Sequence, residues 1–458
     1  MASSSPKQNV DEKEQAESIK LRKLSHGSSE DTLLADSQPE GEQKRAAPDH
    51  EAVAKTQARS IEVAVQGDKE LHDDKTSLPK TQAVDAKRRK TSKDGSSYPK
   101  LPSEQSRQQH EREAWRAGGI RFAPIKMPLK RRLQTAAVFL HCMSIGMLVS
   151  LFWFTCANPL TWPILLVYLV HLSISTAATD GKLRYRSEWL RSLPLWRLFA
   201  GYYPMRLHKT HELPPNRRYI LGYHPHGIIS HGAWCAFATN ALGFGQKFPG
   251  ITNSLLTLDS NFRLPFYRDW ILAMGIRSVS KESIRNILSN GGSGNDGLGR
   301  AVTIVIGGAR ESLEAQPGSL RLILRGRKGF IKMALRTGAD LVPVIGFGEN
   351  DLYDQLSPGS HPVVHKLQMF VLKAFKFTIP ALHGRGLLNY DVGLMPYRRQ
   401  VNIVVGKPIR VEGSFGPQPL QEDIDRYHHL YIDEVERLYE AYGSQFSNGT
   451  VPELQIIA

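Results

Sequence analysis

The chain has 458 residues, and its 59 lysines and arginines against 44 aspartates and glutamates give a formal net charge of +15 at pH 7. This charge favours an anionic partner, such as nucleic acid, a phospholipid surface or a phosphorylated cosubstrate. The three cysteines, Cys142, Cys156 and Cys235, are too few and too scattered for a disulfide framework or a zinc site. The polar N-terminus lacks the apolar core of a cleavable signal peptide.

The N-terminal residues 1–118 predict a disordered tail. They are rich in Ser, Lys, Glu, Gln and Asp and nearly free of aromatic side chains. Such a segment cannot bury enough apolar surface to offset the entropy lost on ordering. The basic run Lys87–Lys90 is either a nuclear import signal or a patch that contacts solvent or lipid.

Two apolar runs within residues 119–189 predict a transmembrane helical hairpin. Leu133–Cys156 and Leu160–Ala178 contain no charged residue, and each is long enough, at about 20 residues, to cross a bilayer core. Basic residues flank both outer ends, so both ends of the chain are expected in the cytosol. A buried hairpin inside a soluble domain is the alternative. The next segment, Leu190–Lys209, is aromatic, apolar and basic by turns and is expected to lie on the membrane surface.

Residues 190–458 predict a membrane-associated α/β domain. Apolar strands alternate with helical segments, which favours a mostly parallel or mixed sheet covered by helices on both faces. The expected strands are Tyr219–Tyr223, Ser254–Leu258, Ala301–Ile306, Leu341–Phe347 and Val401–Val405. The expected helices are one capped by Ser280 that ends at Ser289, Gly329–Arg336 followed by Gly338, and Ile424–Tyr442.

The first of these strands delivers His224 and His226, on either side of Pro225 and before Gly227. Enzymes with open α/β sheets place their chemistry at the carboxyl ends of strands. Neutral imidazole is also suited to accept a proton at physiological pH. The alternative is a turn in which both histidines only form structural hydrogen bonds.

Two further motifs carry charge at the ends of elements. Gly307 and Gly308 end a strand and precede Glu311; such glycines allow a tight turn that exposes backbone amides, and the carboxylate could orient an imidazole or a hydroxyl. A surface glutamate is the alternative. Three cations stand at the start of a predicted helix: Arg325, Arg327 and Lys328. The free amides there also favour an anion, such as a coenzyme A phosphate. A solvated basic turn is the alternative.

Other site types are disfavoured. Gly292–Gly297 matches the dinucleotide pattern GxGxxG, but a helix precedes it and a strand follows, which reverses the required order, so we predict a linker. His224, His226 and His231 have no cysteine or acidic partner at zinc-site spacing. The sequence holds no GxSxG motif of a serine hydrolase.

Taken in chain order, these motifs resemble the type 2 diacylglycerol acyltransferase family, which includes monoacylglycerol acyltransferases and wax synthases. The matches span residues 125–445. They are the apolar hairpin, Tyr202–Pro204, His208–Thr210, His224–Gly227, Gly307–Glu311, Arg327–Phe330, Val342–Val344, Phe347–Asn350, His383–Gly386 and Pro396–Arg399. Four features depart from the pattern. Tyr203 stands where the family has phenylalanine, and the family's proposed neutral-lipid motif is only partly present in Phe139–Cys142, so it is assigned no role. Gly291–Gly299 looks like an insertion, and His231 stands where related acyltransferases carry an aspartate.

The resemblance implies an endoplasmic-reticulum enzyme that transfers a fatty acyl group from acyl-CoA to the free hydroxyl of diacylglycerol, making triacylglycerol. Acyl-CoA is the cosubstrate, and no metal or other cofactor is expected. Monoacylglycerol, a fatty alcohol or a sterol stay open as acceptors, and a non-catalytic lipid-droplet scaffold stays open as another class. A lipid bilayer is an expected partner and nucleic acid is not, while homo-oligomers and lipid-droplet localisation are left open.

The resemblance also suggests roles for the motif residues. His226, or otherwise His224, is the expected general base, and Glu311 is expected to hold the imidazole tautomer. Backbone amides are expected to stabilise the oxyanion at Gly227, Gly307 and Gly308. The CoA phosphates are expected to bind Arg325, Arg327 and Lys328.

Overall fold

The computed structural model describes residues 115–457 except 125, 293, 295, 356–360, 376–380, 414 and 447–451. The predicted tail up to residue 114, with Lys87–Lys90, lies outside the described residues. The helices are α1 Leu129–Cys156, α2 Trp162–Ile174, α3 Glu188–Arg191, α4 Pro194–Tyr202, α5 His231–Ala233, α6 Phe244–Lys247, α7 Tyr267–Ala273, α8 Lys281–Asn290, α9 Gly308–Ser312, α10 Gly329–Thr337, α11 Pro362–Phe375 and α12 Gln421–Phe446. The strands are β1 Trp115–Ala117, β2 Ile120–Phe122, β3 Arg206–Lys209, β4 Tyr219–His224, β5 Thr252–Thr257, β6 Arg277–Ser278, β7 Arg300–Val305, β8 Leu320–Ile323, β9 Asp340–Phe347, β10 Asp354–Gln355, β11 Leu382–His383, β12 Asn402–Val405 and β13 Leu454–Ile457.

A seven-stranded sheet forms the centre of the fold, in the order β3-β12-β9-β4-β7-β5-β6. Strands β9, β4, β7, β5 and β6 are parallel, whereas β12 runs antiparallel to β9 and parallel to β3. The predicted mixed sheet is confirmed, and all five predicted strands are present with ends within two residues of those expected. The edge strands β3 and β6 and the separate parallel pair β8–β13 were not predicted, because their apolar runs are short.

Alternation along β4 explains how the sheet is covered. Every residue of β4 is buried; Tyr219, Leu221 and Tyr223 face one apolar layer, and Ile220 faces the other. Side chains of α8, α10 and α12 fill the second layer. A central strand covered on both faces is apolar throughout, which is why its sequence predicted it so well.

The predicted helix ends are confirmed at two positions. The Ser280 hydroxyl accepts the Ser283 amide at 3.2 Å and caps α8. Gly338 takes a left-handed φ of +63° and ends α10. The last helix, α12, extends beyond the predicted Ile424–Tyr442 at both ends.

The apolar segment differs from the predicted hairpin in its second arm. Helix α1 is 28 residues long and is the one helix in the described part of the chain that is long and apolar enough to cross a membrane. Helix α2 has only 13 residues, which span about 20 Å against a hydrocarbon core of about 30 Å. The predicted span to Ala178 is wrong at its end, because Ala178 is buried and its carbonyl accepts the Ser278 amide at 3.1 Å, within the α/β domain.

Two further expectations are corrected. The apolar face of Leu190–Lys209 is buried in the protein: α4 buries Trp196, Phe199 and Tyr202, packing against α1, and Leu207 is buried in β3. The apolar residues that suggested a membrane surface instead join α1 to the sheet. The expected end of the tail at residue 118 falls inside the antiparallel pair β1–β2.

Candidate active site

Three predicted motifs meet at one edge of the sheet. Strands β4, β7 and β9 are parallel neighbours, with β4 in the middle. Their carboxyl ends lead into His224–Gly227, Gly307–Glu311 and Phe347–Glu349 respectively. Carboxyl ends of parallel strands share an edge, so the sheet itself brings distant parts of the chain together there.

His226 is held by its main chain and by one ring nitrogen. Its amide donates to Glu311 Oε1 at 2.6 Å, and its Nδ1 lies 3.0 Å from the Gly227 carbonyl oxygen. A carbonyl oxygen can only accept, so Nδ1 carries the proton and Nε2 of the neutral ring keeps its lone pair. Burial lowers the pKa of His226, opposed by the bond to Gly227, and the ring is therefore neutral and able to accept a proton at pH 7.

Glu311 does not contact the imidazole, so the predicted role in fixing the ring tautomer is wrong. Its two oxygens accept the amides of His226 and Ile323, at 2.6 and 2.7 Å. The Gly227 carbonyl performs the predicted role instead. Burial raises the pKa of Glu311 to about 7, against the opposing effect of these two amides and the Arg327 charge. Glu311 thus positions the turn that carries His226.

The glycines of the site allow close contacts around the two turns. A Cβ atom on Gly307 would lie 2.1 Å from the carboxyl carbon of Glu311, and one on Gly227 would lie 2.6 Å from Glu349 Cγ. Gly227 and Gly308 also have φ angles of +60° and +61°, which disfavour a side chain. These positions therefore require glycine for space, for backbone conformation, or for both.

His224 lies in the core rather than at the turn. It is fully buried, and its Nε2 lies 3.0 Å from the Tyr431 hydroxyl of α12. That hydroxyl donates its proton to the Gly222 carbonyl at 3.2 Å. Burial lowers the pKa of His224 to about 3. The structure thus separates the two candidate bases: His224 joins β4 to α12, and His226 occupies the turn.

A second buried carboxylate, Glu349, was not among the predicted site residues. It accepts the Tyr223 hydroxyl at 2.8 Å and the Gly232 amide at 2.9 Å, and burial raises its pKa to about 7. The sequence did hold a signal, because Glu349 follows a buried strand and a glycine as Glu311 does. Glu311 and Glu349 flank the His226 turn on opposite sides of β4.

The three predicted cations do not form one cluster. Arg325 is exposed. Arg327 is half-buried and donates to the Gly307 carbonyl at 3.2 Å, behind the turn. Lys328 forms an ion pair with Asp425 of α12 at 2.6 Å. Arg325 is the most exposed of the three, whereas the Lys328 side chain is 41% exposed but already paired with a carboxylate.

A cavity of about 360 Å³ adjoins the turn on the β9 side, with Pro225 and Glu349 in its wall. Arg399 and Asn350 also line it, and in the described part of the chain no partner is found for Arg399 Nε or Asn350 Oδ1. The third histidine considered as a metal ligand, His231, is buried with its Nε2 3.3 Å from the Tyr353 hydroxyl. No group of three His, Cys, Asp or Glu residues that could hold a metal ion occurs among the described residues.

Known proteins resemble this chain over most of its length. The family model described as diacylglycerol acyltransferase matches residues 154–456. Diacylglycerol O-acyltransferase 2A of Umbelopsis ramanniana is 46% identical over 74% of this chain and 94% of that protein. Diacylglycerol O-acyltransferase 1 of Schizosaccharomyces pombe is 44% identical over 71% of this chain and 92% of that protein. The 2-acylglycerol O-acyltransferase 1 of Bos taurus is 39% identical over 73% of this chain and 97% of that protein.

Among solved structures, the 1-acyl-sn-glycerophosphate (LPA) acyltransferase PlsC from Thermotoga maritima aligns with a TM-score of 0.32 and 13% identity, over 68% of this chain and 97% of that chain.

Proposed function

This chain belongs to the diacylglycerol acyltransferase family, as its motifs predicted, and we propose that it transfers a fatty acyl group from acyl-CoA to the free hydroxyl of diacylglycerol, forming triacylglycerol. The observation that carries the mechanism is the His226 ring, whose Nδ1–H is bound to the Gly227 carbonyl. This bond leaves Nε2 as the proton acceptor at the edge where three strands end.

The proposed reaction is a direct transfer without an acyl-enzyme. His226 Nε2 takes the proton of the acceptor hydroxyl while the hydroxyl oxygen attacks the thioester carbonyl carbon. Backbone amides at Gly227, Gly307 and Gly308 are our candidates for stabilising the tetrahedral oxyanion. When the carbon–sulfur bond breaks, the coenzyme A thiolate leaves and takes up the proton from the imidazolium, which restores neutral His226.

Glu311 supports this reaction through the main chain. Its carboxylate bridges the His226 amide in the turn to the Ile323 amide of β8, so the turn and its glycine carbonyl are fixed against the β8–β13 pair. Gly307 provides the space for this carboxylate. The exposed guanidinium of Arg325 is our first candidate for the coenzyme A phosphates. Arg327 and Lys328 stay candidates beside it, although each already has a protein partner.

The exposed apolar surface of the helices supports a site at a membrane. Helix α1 leaves large apolar side chains uncovered along its length, among them Phe154, which is 76% exposed. In the same helix the His141 ring lies 5.7 Å, centroid to centroid, from that of His231, which follows the His226 turn by five residues. A lipid-covered α1 therefore holds the turn near the bilayer that contains both acyl chains.

We propose that α1 and α2 form an endoplasmic-reticulum membrane hairpin with both ends in the cytosol. The shorter arm consists of the 3-10 turn Pro159–Thr161, α2 and the residues between Ile174 and the buried Ala177. Lys130, Arg131 and Arg132 precede the apolar part of α1 and favour a cytosolic start.

The acceptor is tested by acyl transfer from labelled oleoyl-CoA in microsomes of a host that makes no triacylglycerol of its own. Diacylglycerol, monoacylglycerol and a fatty alcohol are compared at equal concentrations. The proposal expects labelled triacylglycerol as the main product from diacylglycerol. Preferential transfer to monoacylglycerol or to the alcohol would overturn the assignment of the acceptor, and absence of transfer to any acceptor from well-expressed protein would overturn the enzymatic assignment.

A further inference from the structure

A second cavity, of about 560 Å³, lies where α1 begins, away from the His226 turn. One wall is the first three turns of α1 and the segment after β2. The opposite wall is the loop that contains Arg385, Leu388 and Arg398. None of the turn residues or buried carboxylates described above lines this cavity.

The lining combines apolar surface with cations. Phe122, Met127, Ala136, Phe139, Leu387 and Leu388 contribute apolar side chains. Four of the described lining residues are arginines and none is acidic; they are Arg131, Arg132, Arg385 and Arg398. A cavity of this kind matches an elongated apolar group that carries a negative charge at one end, because guanidinium groups form strong hydrogen bonds with an anion.

Arg398 shows that the positive charges are crowded. Its guanidinium donates to the Arg131 carbonyl, Gln134 Oε1 and Thr135 Oγ1 at 2.8 to 3.1 Å, and it lies 4.2 Å from the centroid of the Tyr202 ring. Burial, together with the charges of Arg131 and Arg385, lowers the pKa of Arg398 to about 10, against the opposing effect of Tyr202 and Tyr390. An anion among these guanidinium groups would relieve this repulsion.

A buried layer separates the cavity from the reaction. Tyr202 and Tyr203 are fully buried, and their rings pack edge to face at 4.8 Å. Tyr203 in turn stacks on His231 at 5.3 Å, whose neighbour Gly232 binds Glu349. The cavity is therefore connected to the His226 turn only through these packed side chains. A ligand in the cavity would not contact the reacting groups.

The cavity is also placed to receive a molecule from the membrane. It lies beside the basic start of α1, at the level where the proposed hairpin leaves the cytosolic leaflet. Leu388 on its rim is 71% exposed, and Leu394, in the same loop, is equally exposed. These side chains would extend the apolar surface of α1 at that level.

From this arrangement we propose that the cavity binds an anionic phospholipid of the cytosolic leaflet, with one acyl chain against Ala136 and Phe139 and the headgroup phosphate among Arg131, Arg132 and Arg385. The bound lipid would connect α1 to the loop that carries Arg398 and so stabilise the position of the domain on the membrane. Acyl-CoA fits less well, because its nucleotide needs polar surface that this mostly apolar lining lacks, and diacylglycerol carries no charge for the arginines.

The test uses the purified full chain in phosphatidylcholine vesicles that contain a photoactivatable phosphatidylserine. We expect covalent labelling of peptides within 122–139 or 385–398, and competition by unlabelled phosphatidylserine but not by oleoyl-CoA or diacylglycerol. Ala136→Trp places a large ring in the cavity and is expected to exclude the lipid chain. Arg131→Gln/Arg132→Gln removes two cations, and a charged hydrogen bond is worth about 1.5–3 kcal/mol. Each variant is expected to lower labelling at least about tenfold.

Leu140→Trp and Lys130→Gln are the matched controls, because both positions lie on α1 and neither lines the cavity. They are expected to label as the unchanged protein does. Equal labelling of all variants, or competition by oleoyl-CoA or diacylglycerol in place of phosphatidylserine, would overturn the proposal. Thermal unfolding identifies a variant that fails to fold, in which case the other variant decides. Labelling requires no acyl transfer, so this result is independent of the proposed function.

Discussion

The edge of the sheet around His226 and the helix pair α1–α2 are built in opposite ways. At the sheet edge, strand β4 is buried along its length, and the carboxylates of Glu311 and Glu349 are held by main-chain amides. In the helix pair, α2 buries only Leu165 among its described residues, and large apolar side chains are exposed along both helices. The first region is therefore fixed by the protein's own hydrogen bonds, whereas the second exposes apolar surface that lipid covers in our proposal.

Removing the Glu311 carboxylate should produce the largest change at the sheet edge. Glu311→Ala leaves the buried amides of His226 and Ile323 without acceptors, at about 1–3 kcal/mol each, so we expect a loss of several kcal/mol in stability and near-complete loss of acyl transfer. Thermal unfolding and activity at matched expression measure both effects.

The control for this variant is Glu314→Ala, three residues further on. Glu314 forms a partly exposed ion pair with Arg321, and such pairs contribute little to stability. Equal unfolding temperatures for Glu311→Ala and Glu314→Ala would contradict the positioning role of Glu311.

A charge in the middle of α1 should weaken the attachment of the protein to membranes and leave the sheet unchanged. Ile145 is 44% exposed on α1, and a lysine at the centre of a membrane helix costs about 2.5–3.5 kcal/mol. Ile145→Lys is expected to lower the fraction of protein that resists alkaline extraction from membranes. Leu420→Lys, at an exposed position of the α/β domain, should leave this fraction unchanged, and equal extraction of the two variants would argue against a lipid-covered α1.

The bond between His224 and Tyr431 should contribute to stability alone. Tyr431→Phe removes the hydroxyl that faces His224 Nε2 and Gly222 O, and the expected cost is about 1–3 kcal/mol because buried polar groups lose their partner. Activity per folded molecule should stay within about twofold of the unchanged protein, since a change of 0.4 kcal/mol or less in the barrier corresponds to about that factor. A loss of activity without a loss of stability would place His224 in the reaction.

The smallest effect concerns the pH dependence of stability. Glu349 has a folded-state pKa of about 7 against an ordinary value of 4.5, so the folded state binds a proton more tightly than the unfolded state. Its contribution to the free energy of unfolding is therefore full at low pH and is lost as pH rises from about 4.5 to 7. The buried His224, with its pKa near 3, acts in the opposite direction: its contribution is lost as pH falls below its ordinary value of 6.5. Glu349→Gln removes only the first contribution, so its unfolding temperature should rise more steeply between pH 5 and 7 than that of the unchanged protein. Identical slopes would contradict a raised pKa at Glu349.

The sheet could be predicted from the sequence because buried strands are apolar throughout and end at glycines, prolines and charged residues. The same pattern led to His226 and Glu311, since the ends of parallel neighbours share one edge. The partners at that edge could not be predicted, because a sequence does not show that the Glu311 oxygens face main-chain amides or that the Gly227 carbonyl faces the ring.

Apolarity alone also misled the interpretation at two places. Ala177 and Ala178 continue the uncharged run after α2, yet they pack inside the domain. The aromatic residues of α4 suggested a membrane surface, yet they are buried against α1. In both cases hydrophobicity predicted correctly that the side chains are shielded from water, but it could not show whether protein or lipid shields them.

The central claim is that His226 Nε2 accepts the proton of the acceptor hydroxyl. The most direct test is the rate of transfer from labelled oleoyl-CoA to diacylglycerol in vesicles, comparing the unchanged protein with His226→Gln and with the exposed His211→Gln as control. Loss of a general base predicts a decrease of about 10²- to 10⁴-fold for His226→Gln, with normal unfolding temperature, and no decrease for His211→Gln. A folded His226→Gln protein that transfers acyl groups at the unchanged rate would contradict the account.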